Sequence, residues 1–540
     1  MNKNNAKFIV LAVVLVAIVA GLVVFRKNIF ADARERLTQL IKGKKAVTVQ
    51  GDTESINSSE FLEKYFETYG YETRWSDTSA THNIYRDMLL GMLQQADSLG
   101  LDRKDYHQDY ILKFDSLLRV PGFDVSAFEE ENELIFTDAA ISFLYHVAYG
   151  KDIPQIAYNG VKYNIDSTRI LNVFGGLMQH HNWQQTLDSI EPRTAQYRLL
   201  KGELNRMQAF VFAYHDIDSM VAAVNTDTGK AVTIIKLKAL GLITDTLSKD
   251  SVTDGDFKMA LRSFQRMVSM DTTGVADAKT LAALNLPMQK RLEQLKQSLN
   301  YWRWTGRLNE KEFILVNIPA ARLQIVNQDS LRDMSMRVIV GKKNTQTPSF
   351  TAYITRVITY PYWTVPFSIA TKEMLPKIRK SIAYLDNNNL QVINGKGVEV
   401  DPKTVDWNRF SPKYFPYTLR QSTGCDNALG VLKFDLNSPY SVYLHDTNRR
   451  DLFGKKDRFM SHGCVRVEKP MELAQYVLSN GLDSATIANL NQCVRDQKPT
   501  EFPLKKRFPV LILYMPADID EDMHLRFYAD VYEAEKKMAI

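Results

Sequence analysis

The spacing of apolar residues changes character along this chain, and each change predicts a different element. Residues 8–25 form an unbroken apolar run of 18 residues, about 27 Å long as a helix and just enough to cross a bilayer. From about Asp52 to Ala223 the apolar positions recur mainly at helical spacing. Phe61, Leu62, Tyr65 and Phe66 open one helix, residues 84–99 predict a second that stops at Gly100, and residues 133–150 predict a third that ends in glycine. Between 231 and 288 the helices shorten. Phe257, Ala260, Leu261 and Phe264 share one helical face, Asp271 to Gly274 reads as a turn, and residues 280–284 begin another helix. Residues 290–304 predict a linking helix with Trp302 and Trp304 packed between domains. The pattern then becomes strand-like. Residues 313–318, 322–327, 336–341 and 353–358 are short β-rich runs at close spacing, as in an all-β sandwich or barrel. Residues 372–428 interrupt them with a helical piece and an aromatic stretch around Trp407, Tyr414, Phe415 and Tyr417. Residues 427–434 return to the sheet, and 440–445 alternate as a half-buried strand should. Two strand-like runs, 510–514 and 525–530, precede a charged tail.

A chain of 540 residues exceeds one core, so several domains are expected. The composition is that of a globular protein, and a formal charge of +6 over this length gives no argument for nucleic acid. Lys3 and Lys7 precede the apolar run and Arg26 and Lys27 follow it, which leaves its orientation weakly determined. A cleaved signal is the rival reading. Its apolar region is usually shorter, and the nearby Ala-x-Ala, Ala31 to Ala33, lies beyond two basic residues. The expectation is therefore an uncleaved anchor in the cytoplasmic membrane with the remainder exported. Three cysteines, Cys425, Cys464 and Cys493, make no disulfide framework. They fit one working thiol plus two that either pair or serve as small hydrophobes. His146, His180, His181 and His215 lack metal-ligand spacing and read as surface or satisfied core residues.

The chemistry concentrates in one stretch. His445 ends the alternating run, and Cys464 follows 19 positions later within Ser461-His-Gly-Cys-Val-Arg466. The charged segment between them lacks periodicity and reads as a loop that folds back. A strand end delivers His445 rigidly to the rim of a sheet, and Gly463 tolerates a backbone that turns N–H groups toward a ligand. A thiol beside an imidazole is a nucleophile with its base. Asp446 alternates to the other face, so a backbone carbonyl takes the triad acid's part more readily than its side chain.

These residues resemble a known family. Ser461-His-Gly-Cys-Val-Arg466 preceded by His445-Asp-Thr is similar to the active-site signature of the YkuD-fold L,D-transpeptidases, which cross-link or trim bacterial peptidoglycan through a cysteine acyl-enzyme. Residues 65–75 and 100–106 resemble the helical scaffold of the larger, YcbB-like members. Leu261 to Gln265, Gly274 and 280–285 look like their three-helix peptidoglycan-binding module, and 359–366 resembles the stretch after the first sheet. The resemblance implies an α+β multidomain chain: a transmembrane anchor (1–30), helical scaffold (31–230), peptidoglycan-binding-like module (231–290), mainly-β catalytic domain (300–500) with a capping insertion (372–428), and closing strands (501–540). Cys464 would be the nucleophile and His445 the base and then acid. The N–H groups of Gly463 and Cys464 would serve as oxyanion donors, Ser461 and His462 as loop-orienting residues, and Arg466 as a carboxylate holder or buttress. Tyr443, Trp363 and Arg466 would line the substrate site. Tetrapeptide stems would be donor and acceptor, the inner membrane and other cell-wall synthesis proteins the partners, with no metal or cofactor. Relatives often carry proline where Asn448 stands, so the loop after His445 opens less rigidly here. The rival readings are a zinc site of His445, His462 and Cys464, a non-catalytic wall-binding scaffold, and a carboxypeptidase or endopeptidase of the same fold. No Ser-x-x-Lys motif occurs, which disfavours a serine D,D-transpeptidase.

Overall fold

The computed structural model describes residues 47–49, 52–70, 74–75, 80–120, 129–154, 156–163, 166–244, 251–327, 334–478, 481–492 and 497–534. The apolar run 8–25 lies outside the described residues. Among those described, no helix is long and apolar enough to cross a membrane.

The N-terminal portion packs around Glu129–Tyr149, a helix that is apolar nearly all round and accordingly buried on nearly every face. Ser59–Tyr69 lays Leu62, Tyr65 and Phe66 against it. The helix expected over 84–99 runs Ala80–Gln94 and finishes as a separate 3-10 turn, Asp97–Leu99, closed by Gly100 at positive φ. Asp138, fully buried inside the central helix, is satisfied by the Ser58 hydroxyl (2.5 Å), the Asn57 and Ser58 amides and His107 Nε2. His146 is half-buried and bonded to Tyr106 (3.0 Å). Both clusters hold helices together and leave no group for chemistry.

The small module is three helices, Asp227–Ala239, Asp254–Met267 and Ala278–Leu284. The second begins with a capping box between Thr253 and Asp256. Its buried Gln265 ties the following turn together, donating to Thr273 Oγ1, Val275 O and Thr280 Oγ1 and accepting from Gly274 N–H. The linking helix Met288–Thr305 buries Trp302 and Trp304 in a core shared by helical portion, module and strands, as their position between domains suggested. Between them Arg303 turns back to donate to Leu99 O and Tyr197 Oη.

The β portion is a barrel. Of the ten strands in its sheet we number the eight that close the ring β1 (Glu312–Asn317), β2 (Arg322–Asn327), β3 (Met334–Gly341), β4 (Phe350–Thr359), β5 (Leu432–Leu436), β6 (Leu444–His445), β7 (Val465–Val467) and β8 (Thr500–Leu513). They pair in the order β5-β6-β7-β3-β2-β1-β8-β4, and β4 pairs back to β5 to close the sheet. Period-two alternation divides β1 and β8 between two cores. Ile314, Val316, Val510 and Ile512 point inward, while Phe313, Leu315, Leu511 and Leu513 meet the helices. The run expected as a strand over 440–445 keeps ladder geometry only at Leu444–His445.

The insertion is a subdomain with its own four-stranded sheet, in which Trp363–Thr364, Thr418–Gln421, Leu390–Ile393 and Glu399–Val400 are successive neighbours. Trp407, Phe410, Phe415 and Tyr417 pack on one another, mostly edge to face, in its core, so these aromatics hold the subdomain together instead of lining the cleft. Beyond β8, Ala517–Ile519 and Leu525–Phe527 form a hairpin, after which Tyr532 returns to the barrel.

Gln265→Leu keeps the side-chain volume but strands four hydrogen-bond partners. It should destabilise the protein by about 1–3 kcal/mol, read as a lowered denaturation midpoint; an unchanged midpoint would show that Gln265 does not hold this turn.

Candidate active site

The site is set by strand register. β6 runs parallel to β7 with Leu444 opposite Val465 and His445 opposite Arg466, and antiparallel to β5 with Lys433 opposite His445. Leu444, Val465, Leu432 and Phe434 point into the barrel core. Alternation therefore places Lys433, His445 and Arg466 in one row on the outer face. By the same rule Tyr443 and Cys464 join that face. Tyr443, His445, Cys464 and Arg466 all line one cavity of about 340 Å³.

His445 is almost wholly buried, and its Nδ1 is 2.5 Å from the main-chain oxygen of Asp446. A carbonyl only accepts, so Nδ1 carries the proton and Nε2 keeps its lone pair. Burial, followed by the positive charges of Arg466 and Lys433, pushes the imidazole pKa down to about 3, so the ring is neutral at physiological pH. The Asp446 carboxylate faces elsewhere. It accepts from Val431 N–H (3.0 Å) and Arg450 (3.2 Å), and Gly430 at φ +59 leaves it room, since a Cβ there would sit 2.3 Å from its Oδ2.

Cys464 is a free thiol. Burial pushes its pKa up, against the opposing pull of Tyr443 and of the charges on Lys433 and Arg466. Its Sγ donates to Ser441 O (3.5 Å), and the Tyr443 hydroxyl lies near enough to the thiol for each to shift the other's titration. The Lys433 ammonium lies 4.3 Å from the centre of the Tyr443 ring. The resting pair is thus a neutral imidazole and a protonated thiol, not a preformed ion pair.

The loop before the thiol is held from within and from behind. Ser461 Oγ donates to Cys464 O (2.6 Å) and accepts from Gly463 N–H (3.1 Å). Gly463, at φ +117, gives its carbonyl to Thr347 Oγ1 (2.8 Å), and Thr345 Oγ1 donates to Ser461 O (3.0 Å). Tyr532 braces this support, with its hydroxyl donating to Gly341 O (2.6 Å) and accepting from Thr347 N–H (3.3 Å). The Gly463 N–H expected as an oxyanion donor is therefore engaged by Ser461. The Cys464 N–H has no partner among the described residues. His462 points across the cleft to the insertion, where its Nε2 meets Glu373 Oε1 at 2.7 Å. From the same subdomain Trp363, Ile369, Met374, Lys377 and Tyr384 complete the cavity wall.

Residues 311–502 match the model of the L,D-transpeptidase catalytic domain. Residues 60–204 match a scaffold domain and 235–284 a peptidoglycan binding domain. A Haemophilus influenzae protein named as an L,D-transpeptidase is 35% identical over 225 residues, which are 42% of this chain and 45% of that one. The chain therefore carries an L,D-transpeptidase catalytic domain over residues 311–502. Its match spans less than half the length of that curated relative. Two solved structures are similar at low identity. The L,D-transpeptidase of Stackebrandtia nassauensis shares 12% identity over 54% of this chain and 93% of its own (TM-score 0.19). That of Mycobacterium smegmatis shares 11% over 37% and 58% (TM-score 0.17).

Within that domain the cavity gathers His445, Cys464, Ser461, His462, Arg466, Tyr443 and Trp363, all singled out from sequence. It adds Glu373, Lys377 and Thr345, which no local motif marks. The rival zinc set does not converge. Among the described residues the triplet with mutually close ligand atoms is Asp520, Asp522 and His524, in the C-terminal hairpin. Cys425 is disulfide-bonded, and Cys493, the third cysteine, lies outside the described residues.

Because the imidazole is neutral down to about pH 3, thiol acylation should show no acid limb near 6.5, the ordinary imidazole value. The same shift stabilises the fold fully above 6.5, and that increment is lost as pH falls toward 3, because there the unfolded chain takes up a proton that native His445 refuses. Denaturant titrations at pH 7.5 and 5 should lose more stability in the parent than in His445→Gln; equal losses would contradict the depressed value. Tyr443→Phe removes a hydroxyl from the thiolate, so alkylation of Cys464 by iodoacetamide at fixed pH should slow by about fivefold, the equivalent of roughly 1 kcal/mol. An unchanged rate would remove Tyr443 from the nucleophile's surroundings.

Proposed function

We propose that this chain is an L,D-transpeptidase that joins peptidoglycan stem peptides 3→3 through a Cys464 acyl-enzyme. The observation that carries the reading is the neutral His445 imidazole, with its Nε2 lone pair kept open, sharing one cavity face with a protonated thiol. The donor is a tetrapeptide stem. Cys464 Sγ attacks the carbonyl of its third residue as His445 Nε2 takes the thiol proton. The Cys464 N–H stabilises the oxyanion, since it is the loop donor without a partner of its own. The C–N bond breaks, His445 returns the proton to the departing amine, and the terminal D-amino acid leaves. The side-chain amine of an acceptor stem then attacks the thioester and releases the thiol.

Arg466 suits a donor carboxylate. It lines the cavity, its Nε has no partner among the described residues, and no acidic side chain neutralises it there. The insertion acts as a cap, since His462 and Glu373 bridge it to the nucleophile loop and its apolar wall excludes water from the thioester. The apolar run 8–25 anchors the chain in the cytoplasmic membrane, with the catalytic part in the periplasm.

Purified protein lacking residues 1–30, incubated with tetrapeptide-bearing peptidoglycan, should yield 3→3 dimers on muropeptide mass spectrometry, and Cys464→Ser should yield none. Loss of the terminal D-alanine without dimers would make the chain a carboxypeptidase instead. Shortening the insertion should raise hydrolysis relative to cross-linking; an unchanged ratio would deny it the role of a cap.

A further inference from the structure

A second, larger cavity lies away from the thiol. About 690 Å³ in volume, it runs along the seam between the small module, the β1–β2 turn, the segment before the nucleophile loop and the C-terminal hairpin. Arg266, Arg322, Lys456, Arg458 and Arg526 line it, against two carboxylates, Asp271 and Asp457. Three of the cations are already neutralised. Arg526 holds Asp520, Arg322 holds Glu521 (2.7 Å), and Lys456 holds Asp271 (3.0 Å).

The other two are not. Arg458 donates only to main-chain oxygens, those of Ala320 and Ala321 at 3.3 Å and of Lys455 at 3.1 Å among them. Exposed Arg266 has no acidic partner among the described residues. Arg458 Nε, Arg322 Nη1 and Tyr528 Oη are moreover buried without a hydrogen-bond partner there. Burial and the neighbouring charges of Arg337 and Arg322 hold the Arg458 pKa down, so an anion beside it would relieve an electrostatic cost. Between the cations lie apolar surfaces, Val268, Met270, Pro319 and Phe459 among them. Spaced guanidinium forks with aliphatic surface between them fit carboxylates on a peptide better than a continuous row of phosphates.

The place of the groove bears on its use. Arg266 and Asp271 belong to the stretch that matches a peptidoglycan binding domain. On the opposite wall, Arg458 adjoins Phe459–Ser461, a short strand paired with β3 that leads into the nucleophile loop.

We propose that this groove is a second substrate subsite, which takes the free carboxylates of a peptidoglycan stem peptide while another stem occupies the catalytic cavity. The assignment rests on the peptidoglycan reading above, but its test reads binding and needs no turnover.

Full-chain Cys464→Ala protein is titrated with a soluble disaccharide-tetrapeptide dimer, alongside the same protein carrying Arg266→Glu or Lys456→Gln. Affinity should fall by about tenfold with Arg266→Glu and less with Lys456→Gln. Salt should weaken the parent more than the charge-reversed variant. A dimer with amidated carboxylates should bind the parent no better than the native dimer binds the variant. Acylation of Cys464 by a carbapenem, measured in protein that retains the thiol, should be unchanged by either substitution. Equal affinities in parent and variants would overturn the proposal, as would equal binding of the amidated dimer or a parallel loss of acylation. Preferential binding of a polyphosphate, dependent on Arg266, would assign the groove to phosphate polymers and equally overturn it. Should the thiol fail to acylate at all, the catalytic reading falls while the binding comparison still decides the groove.

Discussion

The arrangement of the Cys464 cavity depends on the pairing of β6 with β7. Both strands are very short, and each is pinned by an apolar residue, Leu444 or Val465, sunk in the barrel core. A slip of one residue would bury His445 and Arg466 in that core and turn the leucine and valine outward, at the cost of a buried guanidinium charge and lost apolar contact. Register is therefore specified by the core, and the positions of imidazole, thiol and guanidinium follow from it. The same pairing explains the electrostatics. Lys433, His445 and Arg466 stand abreast on three neighbouring strands, so the imidazole has a cation on either side and little water. It stays unprotonated, which is the state in which a base can accept a proton from a thiol that burial keeps protonated.

The surrounding supports are non-local. The Cys464 loop leans on Thr345 and Thr347, and Thr347 in turn meets Tyr532 from far along the chain. The opposite wall of the cleft comes from a subdomain with a separate core, joined across the opening by Glu373 and His462. A rigid barrel rim facing a separately packed cap gives a cavity whose chemical side is fixed and whose other side has its own stability.

How much of this was legible in the sequence follows from range. The helical periods, the β-rich runs, the small module and the pairing of His445 with Cys464 are carried by residues close in sequence, and they could be read there. The part played by the Asp446 backbone was also legible, because alternation along a strand already turned its side chain away. What depended on distant packing was not. The insertion around Trp407 read as a lid or as decoration, and that Trp407, Phe410 and Phe415 build a core of its own shows only in their contacts. The Gly463 N–H looked available because nothing local shows that the Ser461 hydroxyl turns back onto it. The nearness of the Tyr443 hydroxyl to the thiol, and of Trp363 to both, was not legible, because it depends on how the insertion meets the barrel rim. Strand length was overestimated at 440–445 because alternation records which way side chains face and not whether a neighbour is there to pair with.

The most direct measurement is the intact mass of the protein mixed rapidly with a disaccharide-tetrapeptide and quenched in acid, followed by peptide mapping of the adduct. The account predicts a covalent gain equal to the mass of the donor less that of the released D-alanine, carried by Cys464. An adduct on any other residue, or cross-linking activity with no adduct on Cys464, would contradict it.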